Sequence, residues 1–168
     1  MSQEISFETV DSEQVAGIAF STTLATLSTD LDATINRLFH QLSDTGVTPH
    51  GPVIVVYTDE MRTDSRWKCE VCTPITRAIS GHPVLITHEL PGGLVATVTH
   101  TGPYNGLKAT YDQIFDWFTA YGHTYAGPPR EIYLNSPAEV ADDELLTRIE
   151  FPCVASIRST NPRMPATA

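Results

Sequence analysis

The sequence predicts an α+β domain made of two strand–helix–strand–strand units related by a pseudo-twofold axis. The two share one antiparallel sheet, with the helices on one face. Three observations predict this. The pairs Gly51-Pro52 and Gly127-Pro128 lie 76 residues apart, as do Tyr57 and Tyr133 beyond them. An amphipathic helical pattern precedes each pair. A strand ending in proline follows each, and Pro74 and Pro152 are 78 residues apart, a slack that a loop absorbs. A period of this length marks a duplicated supersecondary unit.

The elements follow in order. Ile5, Phe7 and Thr9 alternate as in an opening strand, with Asp11-Ser12 as its turn, and Gln14–Phe20 forms the next strand. Leu31, Ile35, Leu38, Phe39 and Leu42 share one helical face, and Gly46 stops that helix. Val53–Tyr57 and Arg66–Thr73 complete the first unit. Val84–His88, between turn signals, joins the halves. The turn Leu90-Pro91-Gly92-Gly93 opens the second unit with a strand from Leu94 to His100, which Gly102-Pro103 breaks. The second helix runs from Asn105 to Tyr121, with Leu107, Tyr111, Ile114, Phe115 and Phe118 on its apolar side and Gly122 as its stop. Arg130–Leu134 and 145–151 are its remaining strands. One domain over residues 1–160 is expected, with halves at about 1–75 and 84–158 and a flexible tail at 161–168.

Composition narrows the partners. Hydrophobic residues make up 41% and charged residues 18% of the 168, which is ordinary globular material. The net charge of −10 disfavours nucleic acid and anionic membranes and favours cationic ligands. No signal-peptide pattern or membrane-length apolar run is present, so a cytoplasmic protein is expected. Three cysteines do not make a disulfide framework. Cys69-x-x-Cys72 lies in a strand-like run without a second ligand pair, so no metal is expected there.

Four motifs in sequence carry a resemblance: the strand-ending His100-x-Gly102-Pro103-Tyr104, the helix, GPPREIYLNSP at 127–137 and TRIEFP at 147–152. In this order they resemble the GyrI-like domain, the effector-binding half of some AraC-type and MerR-type regulators. The resemblance implies a ligand cleft on the sheet face away from the helices. It also implies a small apolar, aromatic or cationic ligand, sensed or sequestered without a cofactor, beside an acidic residue in an aromatic pocket. Any DNA contact would come from a separate regulator chain. Two further activities come with the family: hydrolysis of strained cyclopropane-bearing toxins, and inhibition of DNA gyrase as a protein partner.

Alternation selects the residues of such a cleft. In 145–151, Leu145, Thr147, Ile149 and Phe151 share the face a helix layer would cover, which leaves Arg148 and Glu150 for the other. Alignment on the closing prolines makes Glu70 equivalent to Arg148 and Cys72 to Glu150. Tyr57 and Tyr133, with Tyr104 and Phe20 at the exits of the first strands, supply aromatic surface for a cation. Trp117, opposite most of the helix's apolar stripe, is a candidate for a pocket rim or subunit contact.

The chain departs from the family at one point. The family motif T-E-x-x-x-P has its glutamate where Arg148 stands here. Arg148 with Glu150 or Glu70 could instead clasp a zwitterion or a carboxylate. For hydrolysis, Glu70 and Glu150 are the candidates for general base and electrostatic partner, with Tyr57 or Tyr133 as the acid. There is no Ser–His–Asp order, metal spacing or phosphate loop. His100 is expected to hold a backbone partner at its strand–turn junction.

Overall fold

The computed structural model describes residues 3–154. The expected tail at 161–168, and the last residues of the second half, lie outside the described residues. The chain runs β1 (Ser6–Val10), β2 (Glu13–Thr22), α1 (Leu27–Thr45), β3 (Val53–Val56), β4 (Trp67–Pro74), β5 (Ile86–Leu90), β6 (Gly93–Thr101), α2 (Leu107–Tyr121), β7 (Thr124–Tyr125), β8 (Arg130–Tyr133) and β9 (Leu146–Val154). Gly46 and Gly122 close the two helices in the left-handed conformation, at φ 68° and 65°. The second helix starts later than expected because Tyr104–Gly106 form a 3-10 turn ahead of it.

The sheet order is β1-β6-β9-β8-β3-β4-β2-β5, with β7 paired to the end of β9. It reads the same from either end once the halves are exchanged: β2, β3, β4 and β5 correspond to β6, β8, β9 and β1. The pseudo-twofold passes between β3 and β8, where Val55 pairs with Glu131. The opening strand of each half joins the other half, β1 on β6 and β5 on β2. That exchange is not visible in local periodicity.

The exchange also curls the sheet. β1 is one edge and β2 lies next to the other, so in a flat sheet they would stand about 29 Å apart. Only Asp11 and Ser12 link them, a reach of about 10 Å at full extension. Pro91 and Gly92 make the equivalent link from β5 to β6. The two links pack backbone to backbone: a Cβ on Gly92 would run into Ser12 N, Val10 O and Asp11 C.

Curling gives the sheet two unequal faces. On the convex face Ala16, Ile18, Val55 and Val71 pack with Leu38 and Leu42 of α1, and Ala96, Val98, Ile149 and Phe151 pack with Ile114 and Phe118 of α2. On the concave face Val15, Ile54, Val56, Cys72, Leu90 and Ile132 form a third apolar cluster. The central strands are thus covered on both sides.

Candidate ligand-binding site

β8 sends its residues to both faces: Arg130 and Ile132 to the concave side, Glu131 and Tyr133 to the helix side. Glu131 is 3% exposed and lies beside the pseudo-twofold, in the seam between the two halves. Tyr111 Oη of α2 donates to its Oε1 at 2.7 Å, and Tyr133 Oη donates to its Oε2 at 3.0 Å. The Tyr57 hydroxyl lies close enough to the same carboxylate to favour its charged form. Burial pushes the Glu131 carboxyl above the usual range, and these three hydroxyls pull it back only in part. Burial, and then the charge of Glu131, hold all three phenols well above their ordinary pKa, so they stay protonated donors. Among the described residues no lysine or arginine pairs with Glu131.

The outer wall of this cage is aromatic. Tyr104 packs on Tyr133 with ring centroids 5.5 Å apart and is 40% exposed, so it stands between the cage and solvent. Burial, then the nearby carboxylates of Asp32, Glu131 and Asp142, raise its phenol. Tyr104 is positioned by the motif that precedes it: His100 Nε2 holds the Pro103 carbonyl at 3.1 Å, the expected backbone partner. Thr147, opposite Tyr133 on β9, has a fully buried hydroxyl with no partner among the described residues.

The residues expected in one cleft are divided by the sheet. Tyr57 and Tyr133 face the helices, Tyr104 covers them, and Phe20 packs against the first helix-side core. Glu70, Cys72, Arg148 and Glu150 lie on the concave side. They cannot join the tyrosines around one ligand, because residues two apart share a face and these alternate out of phase. Trp117 joins neither group: it packs on Phe7 and His123 at centroid distances of 5.0 and 4.8 Å, at the outer edge of the second core. Glu131 escaped the sequence reading, although the signal was available: it is two residues before Tyr133 and therefore on the same face.

On the concave side two clasps occupy equivalent places with their charges exchanged. In the second half Arg148 of β9 reaches Glu8 of β1 at 2.8 Å; in the first half Glu70 of β4 reaches His88 of β5 at 2.6 Å. Each ties an exchanged edge strand across the strand between them. The Glu70–His88 clasp crosses β2 at Gly17, where a Cβ would run into Glu70 Oε1 and lie 2.9 Å from Cys72 Cβ. Gly17→Ala should therefore eject the Glu70 carboxylate and cost about 1–3 kcal/mol in chemical denaturation; an unchanged midpoint would contradict this.

The His88 clasp is sensitive to pH. Its Nδ1 lies 3.1 Å from the Glu89 carbonyl and its Nε2 faces Glu70, so both nitrogens meet acceptors, an arrangement that favours the imidazolium. Burial lowers its pKa, but the Glu70 bond and charge and the Glu89 carbonyl outweigh burial and raise it overall. The stabilisation is complete below the unfolded value of about 6.5 and is lost as pH rises through the folded value. Melting curves from acid to mildly alkaline pH should thus show the native chain losing its advantage over His88→Asn as pH rises. Parallel curves would refute the clasp.

Glu150 is more firmly held. It is 6% exposed, and it accepts from Arg130 Nε at 2.7 Å and from Arg148 Nε at 2.8 Å. Arg130 also donates from Nη1 to Pro91 O at 2.9 Å, tying β8 to the link between the exchanged strands. Neither Glu70 nor Glu150 is a free base. All three cysteines are buried and unbridged, and burial pushes the Cys69 thiol up to about 11. A thiolate role is disfavoured.

The GyrI-like small molecule binding domain model matches residues 3–154. The chain belongs to this family. The GyrI-like fold recurs in the C-terminal domain of EcmrR, which is 20% identical, with a TM-score of 0.82 over 93% of this chain and 100% of that one. In an EcmrR–DNA complex the same likeness spans 59% of the longer EcmrR chain. SAV2435 bound to tetraphenylphosphonium is 9% identical, with a TM-score of 0.64 over 90% of this chain and 94% of its own. A hydrolase from Listeria innocua is 10% identical, with a TM-score of 0.64 over 90% of this chain and 92% of its own. At these identities the likeness is one of fold. Among the described residues no helix is long and apolar enough to cross a membrane.

Proposed function

We propose that this GyrI-like domain captures a lipophilic, aromatic organic cation in the tyrosine cage, with Glu131 as its counter-charge. The observation that carries this reading is a carboxylate 3% exposed, held only by tyrosine hydroxyls and unmatched by any lysine or arginine among the described residues. A buried carboxylate without a cation is costly, and a bound cation offsets that cost by Coulomb attraction and by contact with the ring faces. The carboxylates that act on Tyr104 favour the same charge. The Thr147 hydroxyl suits a ligand that also carries a hydrogen-bonding group.

SAV2435 supports this class, since its ligand is a lipophilic phosphonium cation. Titration calorimetry with tetraphenylphosphonium and the neutral triphenylphosphine oxide tests it. The cation should bind at least about tenfold more tightly; equal affinities would overturn the reading.

One observation favours a second reading, hydrolysis of a reactive ligand: the carboxyl of Glu131 is raised by burial, as a general base requires. This role passes from Glu70 and Glu150 to Glu131, because the other two are engaged in ion pairs. Incubation with a cyclopropane-bearing alkylator separates the readings. A product heavier by one water, formed only with active protein, indicates hydrolysis; recovery of intact alkylator indicates binding alone.

A further inference from the structure

We infer that the concave face holds a second site, separate from the tyrosine cage, that takes a small zwitterion with an apolar spacer between its charges. A cleft of about 440 Å³ remains where the curled sheet does not close on itself. Its walls are apolar, from Ile54, Leu90 and Ile132; Arg130, Arg148 and Glu150 form one charged side, and Asp11 and Glu13 another.

The arginines supply donors that the fold does not use. Arg130, 4% exposed, commits Nε to Glu150 and Nη1 to Pro91 O. Its Nη2 has no partner among the described residues, and Arg130 lines the cleft. Arg148 commits Nε to Glu150 and Nη2 to Glu8, which leaves Nη1 in the same position. One carboxylate, Glu150, bridges the two guanidinium groups and fixes their separation. Such prearranged N–H groups suit a ligand carboxylate.

Charge decides against a simple anion. The cleft has two guanidinium groups against the carboxylates of Glu150, Asp11 and Glu13, so its lining is net negative. A carboxylate gains at the arginines but is repelled at the Asp11–Glu13 rim. An ammonium at the other end of the ligand reverses that repulsion. Both charges of a zwitterion are matched, and the apolar walls take the spacer. The first-half positions equivalent to Arg130, Arg148 and Glu150 are Ile54, Glu70 and Cys72, so the duplication does not repeat the two guanidinium groups.

The test is a calorimetric and NMR titration of the full chain with ε-aminocaproate, hexanoate and hexylammonium. The zwitterion should bind at least about tenfold more tightly than either half-molecule. Asp11→Asn combined with Glu13→Gln changes only exposed side chains, one in the β1–β2 link and one at the first residue of β2. It should reduce ε-aminocaproate affinity about tenfold, to that of hexanoate, without shifting the melting temperature. Glu131→Gln should leave ε-aminocaproate binding intact. The inference is overturned if ε-aminocaproate fails to bind at millimolar concentration, if the double variant binds it as well as the native chain, or if Glu131→Gln abolishes it.

Discussion

Glu131→Gln should lose at least about thirtyfold in affinity for tetraphenylphosphonium while melting no lower than the native chain. The affinity loss follows from removing one partner of a desolvated charge pair, which typically costs 2 kcal/mol or more. The stability result has the opposite sign. Burial raises the Glu131 carboxyl in the folded state. The folded chain therefore binds the proton more tightly than the unfolded one, and the ionised form at neutral pH opposes folding. Glutamine keeps the shape and still bonds tyrosine hydroxyls, without the buried charge. A variant that is at least as stable but no longer captures the cation marks a residue retained for binding rather than for folding. Loss of stability together with unchanged affinity per folded molecule would reverse the assignment.

Glu150→Gln should behave in the opposite way. Glu150 is the shared acceptor of Arg130 and Arg148, and removing its charge leaves a guanidinium buried without compensation. Breaking a buried pair in this way costs about 3 kcal/mol, or roughly 10 °C in melting temperature for a domain of this size. Because Arg130 also holds Pro91 O, the loss reaches the link that joins the exchanged strands. Affinity for tetraphenylphosphonium, measured per folded molecule, should not change, since the sheet separates Glu150 from the tyrosines. Two glutamates on adjacent central strands thus give contrasting outcomes: one variant loses binding and keeps stability, the other loses stability and keeps binding.

The duplication was legible because its signals are local. Glycine–proline pairs, helix stops at Gly46 and Gly122 and strand-ending prolines recur at nearly constant spacing whatever the tertiary packing. The assignment of Arg148 and Glu150 to the face away from the helices was also legible, because β9 alternates cleanly. β8 gives no such contrast. It is covered on both sides, so Arg130, Glu131, Ile132 and Tyr133 do not reveal by polarity which face is which. The repeat itself held the missing clue: the 76-residue offset that relates the two tyrosines also relates Val55 to Glu131. One unit carries valine at the axis where the other carries a carboxylate, a departure that points to function. The exchange of β1 and β5 between the halves was not legible. It depends on pairing between residues 69 to 91 positions apart, as between Glu8 and Val95, and no local pattern encodes it.

In the proposed complex the cation lies on the helix side of the sheet, against Glu131. A crystal of the complex with tetraphenylarsonium tests it most directly, because arsenic marks its own position by anomalous scattering. The peak should fall within about 6 Å of the Tyr57 or Tyr133 ring centroid, with Glu131 as the nearest carboxylate. An arsenic peak in the cleft beside Arg130 and Glu150, in a crystal saturated with ligand, would contradict it.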